Sequence, residues 1–359
     1  MASEVHFASA RVKDFRKWWV PKESLLSKME CVFFSAGLDR LVKKGGSVGI
    51  KMHFGEPGDV HYIRPAYVSK LVDIIKGLGG KPVIVETAGL GWKPGRTSRE
   101  KHLRAAAKNG FAPETIGAPI VIADGDDGLD GTSGEIPVAR GIAELDALIF
   151  LSHVTGHIQA GFGGAIKNIG VGCVSKPGKF RIHFDGPLKI DSELCDDCGK
   201  CVEECPVEGA ITLPVINETV CLPCNVCLDV CDRRAVKVGF NDKETLARRI
   251  AENAKAVLDV LGENTGYINL LVDILPHCDC HPHSDIPIVP DIGVIASLDP
   301  VAIDMASIDM INKAPGIDGS AFEGGDDKLT AINPDTHWRV QFDTAVELGI
   351  GKKEYRLIE

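Results

Sequence analysis

The sequence lacks the segments that would tie a chain to a membrane or to nucleic acid. No apolar run approaches the roughly 20 residues needed to cross a bilayer. Residues 1–16 are mixed and polar, without the apolar core of a signal peptide. There is no basic tract, and the formal net charge is −10, which argues against nucleic acid as a partner. The expected setting is therefore the cytoplasm, with neither membrane nor nucleic acid bound. Three familiar catalytic signatures are also missing: the GxxxxGK[ST] phosphate loop, the GxSxG nucleophile elbow and the CxxCH haem site. Gly89, Gly91 and Gly95 follow an apolar stretch, but their GxGxxxG spacing is not the dinucleotide-binding GxGxxG.

What the chain does have is cysteine, concentrated in one stretch. Cys195, Cys198, Cys201 and Cys205 are spaced C-x2-C-x2-C-x3-C and followed by Pro206, and Cys221, Cys224, Cys227 and Cys231 repeat the spacing. This is the bacterial ferredoxin run written twice, in which the fourth cysteine of each run ligates the other cluster. Thiolates are soft anionic ligands suited to iron and sulfide. Two [4Fe-4S] clusters are expected, one on Cys195, Cys198, Cys201 and Cys231, the other on Cys221, Cys224, Cys227 and Cys205. Structural zinc would need paired cysteines with a longer gap. Asp232 stands where the second run would carry proline, which weakens a turn and leaves ligation intact. From Ile190 to Asp232, ten carboxylates face Lys200 alone, a net −9. Most of these acids read as a solvated surface; the sharper reading is a docking face for a basic redox partner. Clusters of this type suit a reducing compartment and an anaerobic host.

A chain of 359 residues exceeds the usual ceiling for one core. With 44% hydrophobic and 25% charged residues it reads as an ordinary globular protein. Helical periodicity over Lys22–Lys44 (Leu25, Leu26, Met29, Val32, Phe33) predicts a first long helix with Cys31 in the core. Further helices are expected over residues 65–78, 98–109, 242–261 and 300–312. Strands are expected over 47–54, 82–87, 119–123, 147–152, 266–274 and 291–296. Short apolar strands alternating with helices predict an open, mostly parallel α/β sheet covered by helices on both faces. No Pro/Ser-rich linker flanks the cysteine stretch, so a discontinuous α/β domain, 1–188 and 239–359, interrupted by a small α+β ferredoxin-like insert, 189–238, is the simplest organisation.

In such sheets ligands bind beyond the carboxyl ends of strands. Three polar groups are expected there. One is His53, Glu56 and His61. The second is His153 and His157 with Lys167 and Asn168 downstream, as candidates for proton transfer or anion binding. Gly161, Gly163 and Gly164 precede a helical stretch whose backbone N–H groups could face an anion. The third is His277-Cys278-Asp279-Cys280-His281-Pro282-His283. In an extended chain Cys278 and Cys280 would point to one side, where two thiols can hold a soft metal or act as a redox pair. An additional metal is expected on Cys278, Cys280 and His281, with His153 or His157 able to complete its shell. Cys173, in GVGCVSKPGK, is ambiguous.

Several segments resemble one known family. GIKMHFGEPGDVHYIRP (49–65), AAAKNGF and IGAPIVIADG (105–125), SHVTGHIQAGFGGAIKNIGVGC (152–173) and CDCHPHSDIPIVPDIGVIASLDPVAIDMASIDMINKAPG (278–316) look like the DUF362 family of iron–sulfur centre proteins. The resemblance implies that the loops with His153, His157 and Lys167, and with Cys278 and Cys280, are signature segments, and that the ferredoxin module is an insert. It implies no activity. The expected function is an iron–sulfur redox protein, an oxidoreductase whose clusters relay low-potential electrons to or from a metal or small-molecule site in the α/β domain. The alternative is an electron carrier or assembly factor whose α/β domain docks a protein partner.

Overall fold

The computed structural model describes residues 2–91 and 95–359. In chain order the strands are β1 (Ser3–Ser9), β2 (Ser47–Lys51), β3 (Lys81–Glu86), β4 (Ile120–Ile122), β5 (Ala147–His153), β6 (Thr155–His157), β7 (Gly161–Gly163), β8 (Phe184–Ile190), β9 (Ile211–Thr212), β10 (Val215–Ile216), β11 (Val236–Phe240), β12 (Thr265–Leu271), β13 (Gly293–Ser297) and β14 (Tyr355–Ile358). Among the described residues, eight of them form one sheet in the order β14-β1-β13-β12-β5-β2-β3-β4. β12, β5, β2, β3 and β4 are mutually parallel. β13 is antiparallel to both β12 and β1, so the sheet is mostly rather than wholly parallel.

A large apolar cluster covers each face, one built on Phe150, Ile166, Ile250 and Ile303, the other on Phe33, Ile50, Leu71 and Ile149. This explains why the parallel strands read as unbroken apolar runs: both faces of each are buried. Helix starts follow local chemistry. The Asp242 carboxylate accepts from Thr245 N–H at 2.7 Å, and Asp299 accepts from Val301 and Ala302 N–H at 2.9 and 3.0 Å.

Several expectations need correction. The first helix is not continuous over 22–44. It spans Leu25–Ser35 and gives way to a short 3-10 turn, Leu38–Leu41, because Gly37 takes φ +74°. Cys31 is exposed rather than core. The strand expected to reach Phe54 stops at Lys51. The stretch expected as a loop after His153 contains an antiparallel hairpin, β6–β7, followed by a helix, Ala165–Gly172. β1, β14 and the helices Lys176–His183 and Trp338–Glu347 had no counterpart in the expected elements.

β8 and β11 pair antiparallel, Ile190 with Val236 and Phe184 with Phe240, and frame the cysteine stretch. Short helices Lys200–Glu203 and Val226–Val230 each start on a left-handed residue, Gly199 at φ +78° and Asn225 at φ +70°. The sequence repeat is thus a repeat in backbone conformation, with asparagine tolerated where glycine is the default. Asp232 pairs with the Lys200 ammonium, and Arg233 Nε donates to Asp196 at 2.9 Å. The residues that replace the expected Pro turn therefore tie the second run back onto the first.

Candidate functional site

The carboxyl ends of β2, β3, β5 and β12 open onto one cavity of about 440 Å³. β2 contributes Lys51 and the following His53, β3 contributes Glu86 and the following Thr87, and β5 contributes Ser152 and His153. The segment after β12 contributes Cys278, Asp279, Cys280 and His281. His157, Lys167 and Asn168 complete one wall. Members of all three polar groups therefore meet at one place, while Glu56, His61, His277 and His283 are not in the lining. Glu56 lies just behind it, accepting from Arg96 Nε at 2.6 Å.

Lys167 is aimed by its helix. The Asp304 carboxylate accepts from the N–H groups of Ala165 and Ile166 at 2.8 and 2.9 Å, and from Asn269 Nδ2 at 2.8 Å. A Cβ on Gly164 would stand 2.4 Å from Asp304 Oδ1, so glycine is what lets the carboxylate approach. This corrects the expectation that these N–H groups face an external anion: the protein's own carboxylate holds them. Lys167 Nζ reaches Cys278 Sγ at 3.7 Å. Burial pulls the Lys167 ammonium down to about 8.

The two histidines have different roles. His153 Nε2 donates to the Val272 carbonyl and Nδ1 pairs with Asp279 Oδ1, both at 2.8 Å. Two acceptors on two nitrogens require the imidazolium. Burial opposes that charge, but the Asp279 carboxylate outweighs it and raises His153 to about 9. With both nitrogens occupied, His153 anchors Asp279 between the two cysteines. His157 Nδ1 accepts from Gln159 and Ala160 N–H at 3.1 and 2.9 Å. Its proton therefore sits on Nε2, which faces Cys280 Sγ at 3.9 Å. Burial, then Lys167, holds His157 well below the usual histidine range, so it is neutral.

Cys278 and Cys280 lie on a turn rather than an extended strand and are joined by a disulfide. His157, Cys278 and Cys280 bring three ligand atoms within 4.8 Å of one another; His281 is outside that group.

Several buried ionic residues were not expected. Lys51 Nζ pairs with Glu86 and donates to Asn168 Oδ1 at 2.9 Å. Lys179 Nζ donates to Thr87 Oγ1 at 2.8 Å. A lysine inside SVGIKMHF and a glutamate inside KPVIVE, each in an otherwise apolar strand, were the available signals. Lys51, Arg96, Lys167 and Lys179 line the cavity against Glu86 and Asp279, so its fixed charge is cationic.

The cysteine segment abuts this cavity. Cys195, Cys198, Cys201 and Cys231 line one small void, and Cys205, Cys221, Cys224 and Cys227 line a second. None of the eight is in a disulfide. Ala235 N–H donates to Cys231 Sγ at 3.2 Å. The loop carrying Cys224, which lines the second void, touches the cavity wall: Gly91 N–H donates to the Cys224 carbonyl at 3.0 Å, while the adjacent Leu90 both lines the cavity and packs on the apolar cluster of the cysteine segment.

Fold and site define an α/β protein with a cysteine-rich segment set against a strand-end cavity. The chain belongs to the family DUF362, described as a domain of unknown function, which matches residues 48–309. Two curated relatives are H(2):CoB-CoM heterodisulfide,ferredoxin reductase subunits, one from Methanothermobacter marburgensis, 34% identical, the other from Methanothermobacter thermautotrophicus, 32% identical. Each match covers 17% of this chain and 12% of the relative. Among solved structures, the lactate racemase apoprotein from Thermoanaerobacterium thermosaccharolyticum aligns with TM-score 0.37 at 11% identity, over 76% of this chain and 51% of that one. A structural-genomics protein from Thermotoga maritima aligns with TM-score 0.37 at 10% identity, over 70% and 50%. At these scores neither neighbour informs the chemistry of the cavity. Among the described residues, no helix is long and apolar enough to cross a membrane.

Proposed function

We propose that the chain is an iron–sulfur oxidoreductase in which electrons pass between residues 189–238, an insert in the α/β body formed by 1–188 and 239–359, and the Cys278–Cys280 pair. The single observation that carries this is the junction at Leu90–Gly91, where Gly91 bonds the Cys224 carbonyl and the adjacent Leu90 lines the cavity. Four unpaired thiols around each void, in the crossed pairing of the two runs, suit [4Fe-4S] ligation. Such clusters, when bound, supply single-electron transfer at low potential, tuned by N–H···S bonds of the Ala235–Cys231 kind.

The cavity residues supply the rest. Reduction of the Cys278–Cys280 disulfide breaks one S–S bond and takes up two electrons and two protons, leaving two thiols. Lys167, at about 8, is a buried acid beside Cys278, and the Nε2–H of His157 faces Cys280. The imidazolium of His153 fixes Asp279, and with it the turn that holds both sulfurs. The surplus of lysine and arginine suits a small anionic substrate, held by Lys167, that trades electrons with the pair. A second reading has one supporting observation: once reduced, Cys278 and Cys280 with His157 form a soft-metal ligand set, since their ligand atoms lie within 4.8 Å. It requires His157 Nε2 to give up its proton.

The test is iron and acid-labile sulfide content of protein purified without oxygen. About eight of each per chain is expected. Iron near zero with stoichiometric zinc on the cysteine runs would refute the reading. The rival account is a carrier whose acidic segment docks a basic protein. It gains if electron delivery to such a protein falls steeply with salt and no thiol pair is reduced.

A further inference from the structure

The segment after β12 holds a second cluster of ligating side chains, which the electron-transfer reading does not use. The imidazoles of His277, His281 and His283 pack together with ring centroids 5.2, 5.4 and 6.3 Å apart. An imidazole bound to zinc through nitrogen at about 2.0–2.1 Å places its ring centroid roughly 3.2 Å from the metal. Two such rings at the tetrahedral angle then stand about 5.2 Å apart. Two of the three observed separations match this value. The third, between His277 and His283, is about an ångström too long, and the donor atoms of these residues do not all come within 4.8 Å of one another as they stand, so binding requires the exposed His283 side chain to turn inward.

A second observation points to the same place. The loop carrying Asp59 is stitched to the histidine segment. Val60 N–H donates to Ser284 Oγ at 3.2 Å, Ser284 Oγ bonds Asp59 Oδ1, and Glu56 N–H donates to the Asp279 carbonyl at 2.8 Å. Contact is close enough that a Cβ on Gly58 would stand 2.4 Å from the Pro282 carbonyl oxygen. Yet Asp59, only 3% exposed, keeps Oδ2 without a hydrogen-bond partner among the described residues, and so does the buried Nδ1 of His277. Buried unpartnered polar atoms are costly, and two at one loop junction call for an occupant.

We infer that His277, His281 and His283, with Asp59 as a fourth donor, form a site for a borderline divalent cation, of the zinc, cobalt or nickel class, at the mouth of the cavity. Imidazole and carboxylate donors suit these ions, whereas magnesium and calcium prefer all-oxygen shells. His281 lines the cavity, so the ion would face it, set apart from the Cys278–Cys280 sulfurs. The site does not depend on the electron-transfer reading.

The probe is Zn²⁺, added to the cluster-loaded full chain without oxygen, with X-ray absorption at the zinc edge and affinity by chelator competition. One zinc per chain with nitrogen and oxygen neighbours at about 2.0–2.1 Å is expected. His283→Ala should weaken binding at least about tenfold, the scale on which even outer partners of a metal site act. Cys278→Ser/Cys280→Ser should leave it unchanged. A sulfur shell at about 2.3 Å in the unmutated protein, or failure to retain zinc, would overturn the site whatever the variants do. So would binding lost in the cysteine variant and kept in His283→Ala. Iron measured on the same samples reports the cluster reading separately.

Discussion

Asp279→Asn isolates the buried pair that holds the redox turn. In the folded protein burial works against a charged His153, yet the Asp279 carboxylate raises it from 6.5 to about 9. That displacement is worth about 3 kcal/mol, since each pKa unit corresponds to about 1.4 kcal/mol. The sign follows from linkage: a histidine whose folded pKa is raised contributes stability that is full below 6.5 and is lost as pH climbs through about 9. Asn keeps the shape and removes the charge. The variant should therefore lose up to about 3 kcal/mol relative to the parent at pH 6, and much less at pH 10. Thermal unfolding of both proteins without oxygen, at the two pH values, measures the difference. Nitrogen NMR of labelled histidine should also show His153 titrating near 9 in the parent and below 6.5 in the variant. A destabilisation that is the same at both pH values would refute the charge argument.

Other substitutions probe the remaining parts. Lys167→Met should slow reduction of the Cys278–Cys280 pair about a hundredfold and abolish the fall in rate expected above pH 8, followed by stopped-flow thiol labelling. Cys224→Ala should lower iron from about eight to about four per chain while the other void keeps its share. Lys51→Met strands Glu86, which is 3% exposed, and should cost about 3–5 kcal/mol in denaturant unfolding. Lys51→Met/Glu86→Gln should recover most of that loss, and a double variant no better than the single would contradict the pairing.

Much of the framework was legible because its signals are local. Apolar runs and Gly and Pro boundaries marked β2–β5, β12 and β13, and helical periodicity marked the helices after β2, β3 and β13 and the one before β12. β1 and β14 were not legible: they are edge and near-edge strands with polar residues, and β1 is recruited by pairing with β13 at the other end of the chain. The first helix was over-extended because its apolar spacing continues past Gly37, where the backbone turns. In the site, His153, His157, Lys167, Cys278 and Cys280 stood out because such residues after apolar strands are conspicuous. Asp279 was named only as part of its run, without a role, and Asp304 not at all, since their importance lies in what they touch across more than a hundred residues of chain. His281 was grouped with its cysteine neighbours by sequence. In space it turns toward His277 and His283.

The central claim is that the cysteine module and the Cys278–Cys280 pair share electrons, and a reductive titration tests it most directly. The cluster-loaded protein, oxidised and then titrated with dithionite without oxygen, should accept about four electrons per chain, one for each of two clusters and two for the disulfide. Cys278→Ser/Cys280→Ser should accept about two. An uptake of about two electrons in both proteins would contradict the account.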